Sequence, residues 1–191
     1  MDEVDGLCSA RGGSGEHEAS RRVKGEILAQ MDGASSSSEE YDPARSVIVL
    51  GATNLPWELD SAFLRRFEKR IHIDLPDAEG RADMFRINTD GMAVADEVRE
   101  DDTWATVVGL SDGYSGADIA TCCKDASMLG LRRLLAGKKV EEIKAMAQSE
   151  LAQEAITLAD FESVFQTVKS TAGKADLEKY KTWSDEYGSS L

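Results

Sequence analysis

Nowhere among the 191 residues is there a G-x-x-x-x-G-K-[S/T] run, so the glycine loop and lysine that cradle phosphates are not part of this sequence. No apolar stretch approaches the ~20 residues that a membrane-spanning helix needs, and no leader peptide is expected ahead of the acids at the start. Cysteine is scarce. Cys8, Cys122 and Cys123 are odd in number and lack metal-ligand spacing, which predicts reduced thiols in a cytosolic or nuclear setting. Basic residues are also short, 22 against 36 acids. The resulting net charge of −14 argues against general affinity for nucleic acid or an anionic membrane, which would repel the chain. No internal repeat is visible.

What is present is ordinary for a soluble globular protein, with 41% hydrophobic and 30% charged residues in a length that fits one domain or two small ones. The chemistry concentrates at the start. Asp2-Glu3-Val4-Asp5 is followed by a Gly/Ser-rich loop from Arg11 to Gly15, then by Ala19, Val23, Ile27, Leu28 and Met31 at helical spacing. Asp-Glu at a strand end suits nucleotide hydrolysis: the Asp holds a divalent cation, and the Glu orients and polarises the attacking water. Taken alone, the same letters also read as a solvated acidic run.

Residues 34–45 read as a surface insertion, and Ser46 to Leu50 as a continuous apolar strand buried on both faces. That strand runs into Asn54, which is either a ligand contact at a strand's carboxyl end or a turn residue before Pro56. Leu59 to Phe67 reads as a helix capped by Asp60, with Phe63 and Phe67 on its apolar side. Arg65 and Arg66 end it, either complementing the helix dipole or reaching a neighbouring subunit's phosphate. Ile71 to Ile73 reads as a short alternating strand, with His72 packed or at an edge. After Pro76 the pattern turns helical, over 77–87 and 102–110, with Trp104, Val107, Val108 and Leu110 expected inward. Ser115 and Asp118 form a capping-box start for a helix that runs to about Leu135 and stops at Gly137. Residues 138–153 are charged and helix-prone. Thr157 and Asp160 form a second capping box, leading the stripe Phe161, Val164, Phe165 and Val168. A last helix carries Leu177, Tyr180, Trp183 and Tyr187, too much aromatic surface to stand free.

The run DEVDGLCSARGGSGEHEASRRVKGEILAQMDG, followed in order by GATNLPWELD, LRRFEKRI, LPDAEGR, GYSGADI and KYKTWSDEYGSS, resembles the AAA ATPases of the meiotic clade. Within the clade it is most similar to the katanin type of microtubule-severing enzyme. The resemblance covers essentially the whole chain and implies an α/β fold: the C-terminal part of a P-loop (RecA-like) AAA ATPase domain, then an α-helical lid and a C-terminal docking helix. The implied boundaries are 1–75, 76–170 and 171–191, and the chain is expected to be a fragment that begins halfway through the ATPase domain.

By the same resemblance the cofactors are ATP and Mg²⁺, with Asp2 at the metal, Glu3 at the attacking water and Asn54 as sensor 1. Arg65 and Arg66 are the arginine fingers toward a neighbour's nucleotide. Gly116, Ala117 and Asp118 mark the sensor 2 position, where a helix start offers N–H groups to phosphate or base. Ala10 to Glu18 is the second pore loop, presenting Arg11, His17 and Glu18, with Arg21 and Arg22 at the base of the helix behind it. Ring-wise repetition lets such cations hold an acidic polypeptide despite the net charge. Ser170 to Gly173 departs from the family's usual serine-valine-serine, which weakens the expected join to the last helix. The implied partners are copies of the chain in a hexameric ring, microtubules through tubulin C-terminal tails, and a regulatory subunit. The implied location is cytoplasmic, on the cytoskeleton at microtubules, spindle, centrosome or basal body. Two alternatives are a spastin-like or membrane-filament-remodelling relative, and a non-catalytic module that binds ring subunits through Arg65, Arg66 and the lid.

Overall fold

The computed structural model describes residues 1–8, 18–35, 47–145 and 155–189. The chain divides into two compact units. One is Met1–His72 with Lys179–Leu191, the other Ile73–Glu178.

The first unit contains α1 (Val4–Cys8), α2 (Glu18–Ser35), a 3₁₀ turn (Pro56–Glu58) and α3 (Ser61–Arg66). Asp60 caps α3 by accepting from the Ala62 N–H at 2.7 Å, as its sequence position predicts. Phe63 is driven inward against Val4, and Ile27, Leu28, Met31, Leu59 and Phe67 close around that pair. Gly51 makes a close approach here. A Cβ at this position would meet the Phe67 ring at 3.1 Å and the Val4 side chain at 3.3 Å.

The second unit is helical: α4 (Ala78–Thr89), α5 (Asp96–Arg99), α6 (Asp101–Leu110), α7 (Gly116–Leu135), α8 (Val140–Ala145) and α9 (Leu158–Thr167). Helical spacing decides its core. α7 buries Ile119, Cys122, Cys123 and Ala126, and α9 buries Phe161 and Val164. Phe85 of α4 meets Phe161 edge-on, with ring centroids 5.9 Å apart at 89°. Gly137 follows the α7 C-cap at φ 77°, the left-handed setting that ends helices. Both predicted capping boxes are formed. A last helix, α10 (Lys174–Tyr187), follows.

Three expectations differ. Residues 47–50 are not a buried strand: Val47, Ile48 and Leu50 are 63%, 89% and 78% exposed. A buried parallel strand exists only between partners, and the described residues give this one only the chain start. The Met1 amino group donates to Leu50 O at 2.7 Å, and the Ala52 N–H to Met1 O at 2.9 Å, the alternation of a single parallel pair. Ile71 and Ile73 are likewise exposed and unladdered, for the same reason. Leu110 sits at the α6 end, exposed rather than inward, because the stripe of Trp104, Val107 and Val108 already faces the core. In the second unit, Val94 and Ile156 form an isolated parallel bridge.

The doubted join after α9 is well tied. Ser170 Oγ donates to Gly113 O at 2.7 Å, Thr171 Oγ1 to Asp118 Oδ1 at 3.0 Å, and Tyr114 OH to Val168 O at 2.6 Å. No helix is long and apolar enough to cross a membrane among the described residues.

Candidate active site

After its single parallel pairing at Met1, the chain turns sharply. Glu3 sits at φ 49°, a left-handed setting that costs a non-glycine residue energy and recurs at functional positions. Val4 then starts α1 with its side chain buried, while the carboxylates of Asp2 and Glu3 stay exposed. One Asp2 oxygen accepts from the Glu3 N–H at 2.9 Å. Among the described residues the other has no hydrogen bond, so Asp2 fits a role as one ligand of a divalent cation. No cluster of three or more metal-binding side chains occurs among the described residues.

Facing this segment, Gly51 to Asn54 carries the second candidate. The Val4 N–H donates to Ala52 O at 3.1 Å, and Thr53 Oγ1 to Asp5 Oδ1 at 2.5 Å. Thr53 Oγ1 also accepts from the Leu55 N–H at 2.9 Å. The Asn54 side chain is exposed and makes no hydrogen bond among the described residues, while its backbone oxygen accepts from Tyr180 OH at 2.5 Å. Asp2, Glu3 and Asn54 are therefore exposed residues of two segments that are hydrogen-bonded to each other although about fifty residues apart in sequence.

Arg65 and Arg66 close α3. Arg65 Nε donates to Ser61 O at 3.2 Å. Arg66 is held more firmly: Nε and Nη2 each reach an oxygen of Asp32 at 2.6 Å, and Nη1 reaches Ala62 O at 3.0 Å. That bidentate contact holds the Asp32 carboxyl below its ordinary range. Three of the five guanidinium N–H groups are spent, leaving two for a further anion.

At the start of α7 the Asp118 carboxylate is 4% exposed and turned inward. Burial alone pushes its pKa up. The N–H and hydroxyl of Ser115, with the hydroxyl and N–H of Thr171, outweigh that and hold it below the usual range. Asp118 thus serves the helix cap. What the cap leaves open among the described residues is the N–H groups of Gly116 and Ala117.

Of the pore-loop residues, Arg11 and His17 lie outside the described residues. Glu18 is the first residue of α2, and Arg21 and Arg22 are exposed on its first turns. Asp5, Asp32, Thr53 and Tyr180 were not singled out as site residues from sequence. Tyr180 carried the one available signal, as an apolar helix residue in need of a partner. Cys122 and Cys123 are buried away from this chemistry, their thiols pushed up to about 11 and about 12, chiefly by burial.

Three family descriptions match the chain: ATPase family associated with various cellular activities (AAA) over residues 1–75, AAA+ lid domain over 101–145, and Vps4 C terminal oligomerisation domain over 137–188. Katanin p60 A-like 1, an ATPase-containing katanin protein from Danio rerio, is 48% identical over 189 residues. That alignment takes in 99% of this chain and 38% of the relative, so the chain spans well under half the length of the curated relatives it matches. The FIGL-1 AAA domain superposes with a TM-score of 0.81 at 33% identity, over 98% of this chain and 56% of that one. A second FIGL-1 structure, in complex with ADP, gives 0.79. A structure concerned with katanin self-assembly gives 0.71 at 36% identity, over 96% of this chain and 56% of that one.

Proposed function

We propose that this chain, which belongs to the AAA ATPase family as a katanin-like member of its meiotic clade, supplies the water-activating, arginine-finger and lid portions of an ATP-driven ring motor that severs microtubules. The observation that carries the reading is 48% identity running the length of the chain, together with an exposed Asp2-Glu3 pair hydrogen-bonded through its segment to the Asn54 loop.

Each residue then has a task. Asp2 would hold Mg²⁺ through the oxygen that makes no hydrogen bond among the described residues. Glu3, also exposed, would orient and polarise water, and the Asn54 amide would help to place it. Arg66, braced by Asp32, offers two N–H groups to a neighbouring copy, with Arg65 beside it. Gly116 and Ala117 offer N–H groups to phosphate or base at the α7 start, and Asp118 keeps that start in shape. When bound, ATP with Mg²⁺ supplies the phosphoryl group that water attacks. Arg11, His17, Glu18, Arg21 and Arg22 are the substrate-facing set, and the cations among them grip acidic tubulin tails from the centre of a hexamer on the cytoplasmic cytoskeleton. A regulatory subunit would direct the motor there. The groups that grip the β- and γ-phosphates are not in this sequence, so the 191 residues alone should neither hold ATP tightly nor turn it over.

The test joins this chain to the upstream part of the Danio rerio relative. The fusion is expected to hydrolyse ATP and shorten labelled microtubules, losing both on Glu3→Gln, whereas the 191-residue protein does neither. A fusion that assembles, binds ATP and remains inert would favour a non-catalytic module. Turnover by the 191 residues alone, abolished by Glu3→Gln, would contradict the division of labour.

A further inference from the structure

The peptide unit joining Asn54 to Leu55 is gripped at both ends by side-chain hydroxyls. Its oxygen accepts from Tyr180 OH at 2.5 Å, and its N–H donates to Thr53 Oγ1 at 2.9 Å. Both hydroxyls are themselves fixed. Thr53 Oγ1 spends its proton on Asp5 Oδ1 at 2.5 Å, so it can only accept from Leu55. The Tyr180 ring lies between Trp57, 5.0 Å away, and His72, 5.9 Å away and nearly parallel. The Lys179 ammonium stands over Trp57 at 3.5 Å. Beyond α10, the Ser189 N–H donates to Arg70 O at 2.8 Å and Ser189 Oγ accepts from the Arg70 N–H at 3.2 Å, so the segment after the helix is tied down too.

We propose that Tyr180 and Thr53 are positioning residues for Asn54, fixing the 54–55 peptide plane and so the direction in which the Asn54 amide leaves the backbone. This rests on the reading of Asn54 given under Proposed function. The Asn54 side chain is exposed and has no hydrogen bond of its own among the described residues, so packing does not aim it. Free asparagines in loops also turn back onto nearby backbone groups. An amide that places water must hold its direction to about 10–20°. What remains to hold it is the backbone, and that backbone is clamped by these two hydroxyls. The terminal helix thereby touches the hydrolytic centre through one phenolic proton, and Asp5 ties the same peptide to the acidic segment.

Tyr180→Phe removes the hydroxyl and keeps the ring; Tyr187→Phe removes another hydroxyl from the same helix as a control. In the 191-residue protein, NMR of Tyr180→Phe should move the Asn54 carbonyl carbon and side-chain amide, and Tyr187→Phe should leave both in place. In the fusion with the Danio rerio upstream part, Tyr180→Phe should lower kcat for ATP about three- to tenfold, with KM changed less than about twofold. A merely structural role would reduce the amount of assembled enzyme instead, leaving kcat per assembled site unchanged. Thr53→Val, which cuts the other hydroxyl, should reproduce the kcat loss and serves as the second variant if Tyr180→Phe folds poorly. Unmoved Asn54 signals, or an unchanged kcat per site in both variants, would overturn the proposal. An inert wild-type fusion would instead count against the catalytic reading, and the NMR comparison then decides by itself whether Tyr180 positions Asn54.

Discussion

Replacing Asp118 with alanine sets two effects against each other. The carboxylate is nearly sealed from water, so deleting it relieves the cost of burying a charge. It also removes the acceptor for the Ser115 N–H at 2.9 Å, Ser115 Oγ at 2.8 Å and Thr171 Oγ1 at 3.0 Å, and with it the cap of a 20-residue helix. The lowered pKa says which wins, because hydrogen bonds must exceed the burial penalty for the charged form to be favoured. A lost cap costs about 0.5–2 kcal/mol, and a hydrogen bond to a charged group about 1.5–3 kcal/mol. Partial rehydration at exposed Thr171 trims the sum to about 3 kcal/mol. Cys122 and Cys123 report on this directly: they lie in α7, buried, and should react with a thiol reagent only when the helical unit opens. Asp118→Ala should speed their labelling on the order of a hundredfold, and Thr171→Val about fivefold. The sign with pH is fixed by the lowered native pKa. The wild-type advantage is fully present above the ordinary aspartate value of about 3.9 and fades as pH falls through the lower native value. Labelling within about twofold of wild type would show that the network adds nothing.

In the same unit, Phe161→Ala should cost about 3–5 kcal/mol by urea unfolding, since Phe161 is fully buried and meets Phe85 edge-on; a loss below about 1 kcal/mol would mean that the core collapses around the gap. Gly51→Ala forces a methyl to 3.1 Å from the Phe67 ring and should cost about 1–3 kcal/mol while shifting NMR signals of Thr53 and Asn54. Unchanged stability and spectra would remove Gly51 from the account.

Helices and their caps were legible in the sequence because their determinants are local. Asp60, Ser115 with Asp118, and Thr157 with Asp160 each sit within three residues of the groups they satisfy. The segments 47–50 and 71–73 were misread because an apolar β-branched run names a strand without supplying its neighbours. The residue types and motif order at Asp2, Glu3, Asn54, Arg65 and Arg66, on which the proposed chemistry rests, were legible. Their supports were not. Asp32 meets Arg66 across 34 positions and Tyr180 meets Asn54 across 126, distances over which periodicity carries no signal. Asp118 was legible as a cap from its spacing to Ser115, but its tie to Thr171, 53 positions away, was not.

If one hydrolytic site draws Glu3 from one copy and Arg66 from the next, mixing two variants should restore activity. Fusion proteins carrying Glu3→Gln or Arg66→Ala should each be nearly inactive. Glu3→Gln should still bind ATP, because Asp2 remains and the change is isosteric. Arg66→Ala should lose rate more than affinity. Co-assembled, some interfaces pair an intact Glu3 with an intact Arg66, so ATPase activity should exceed the sum of the two mutants measured apart. If the mutants co-assemble and the mixture stays at that sum, the arginine does not act across the interface as proposed.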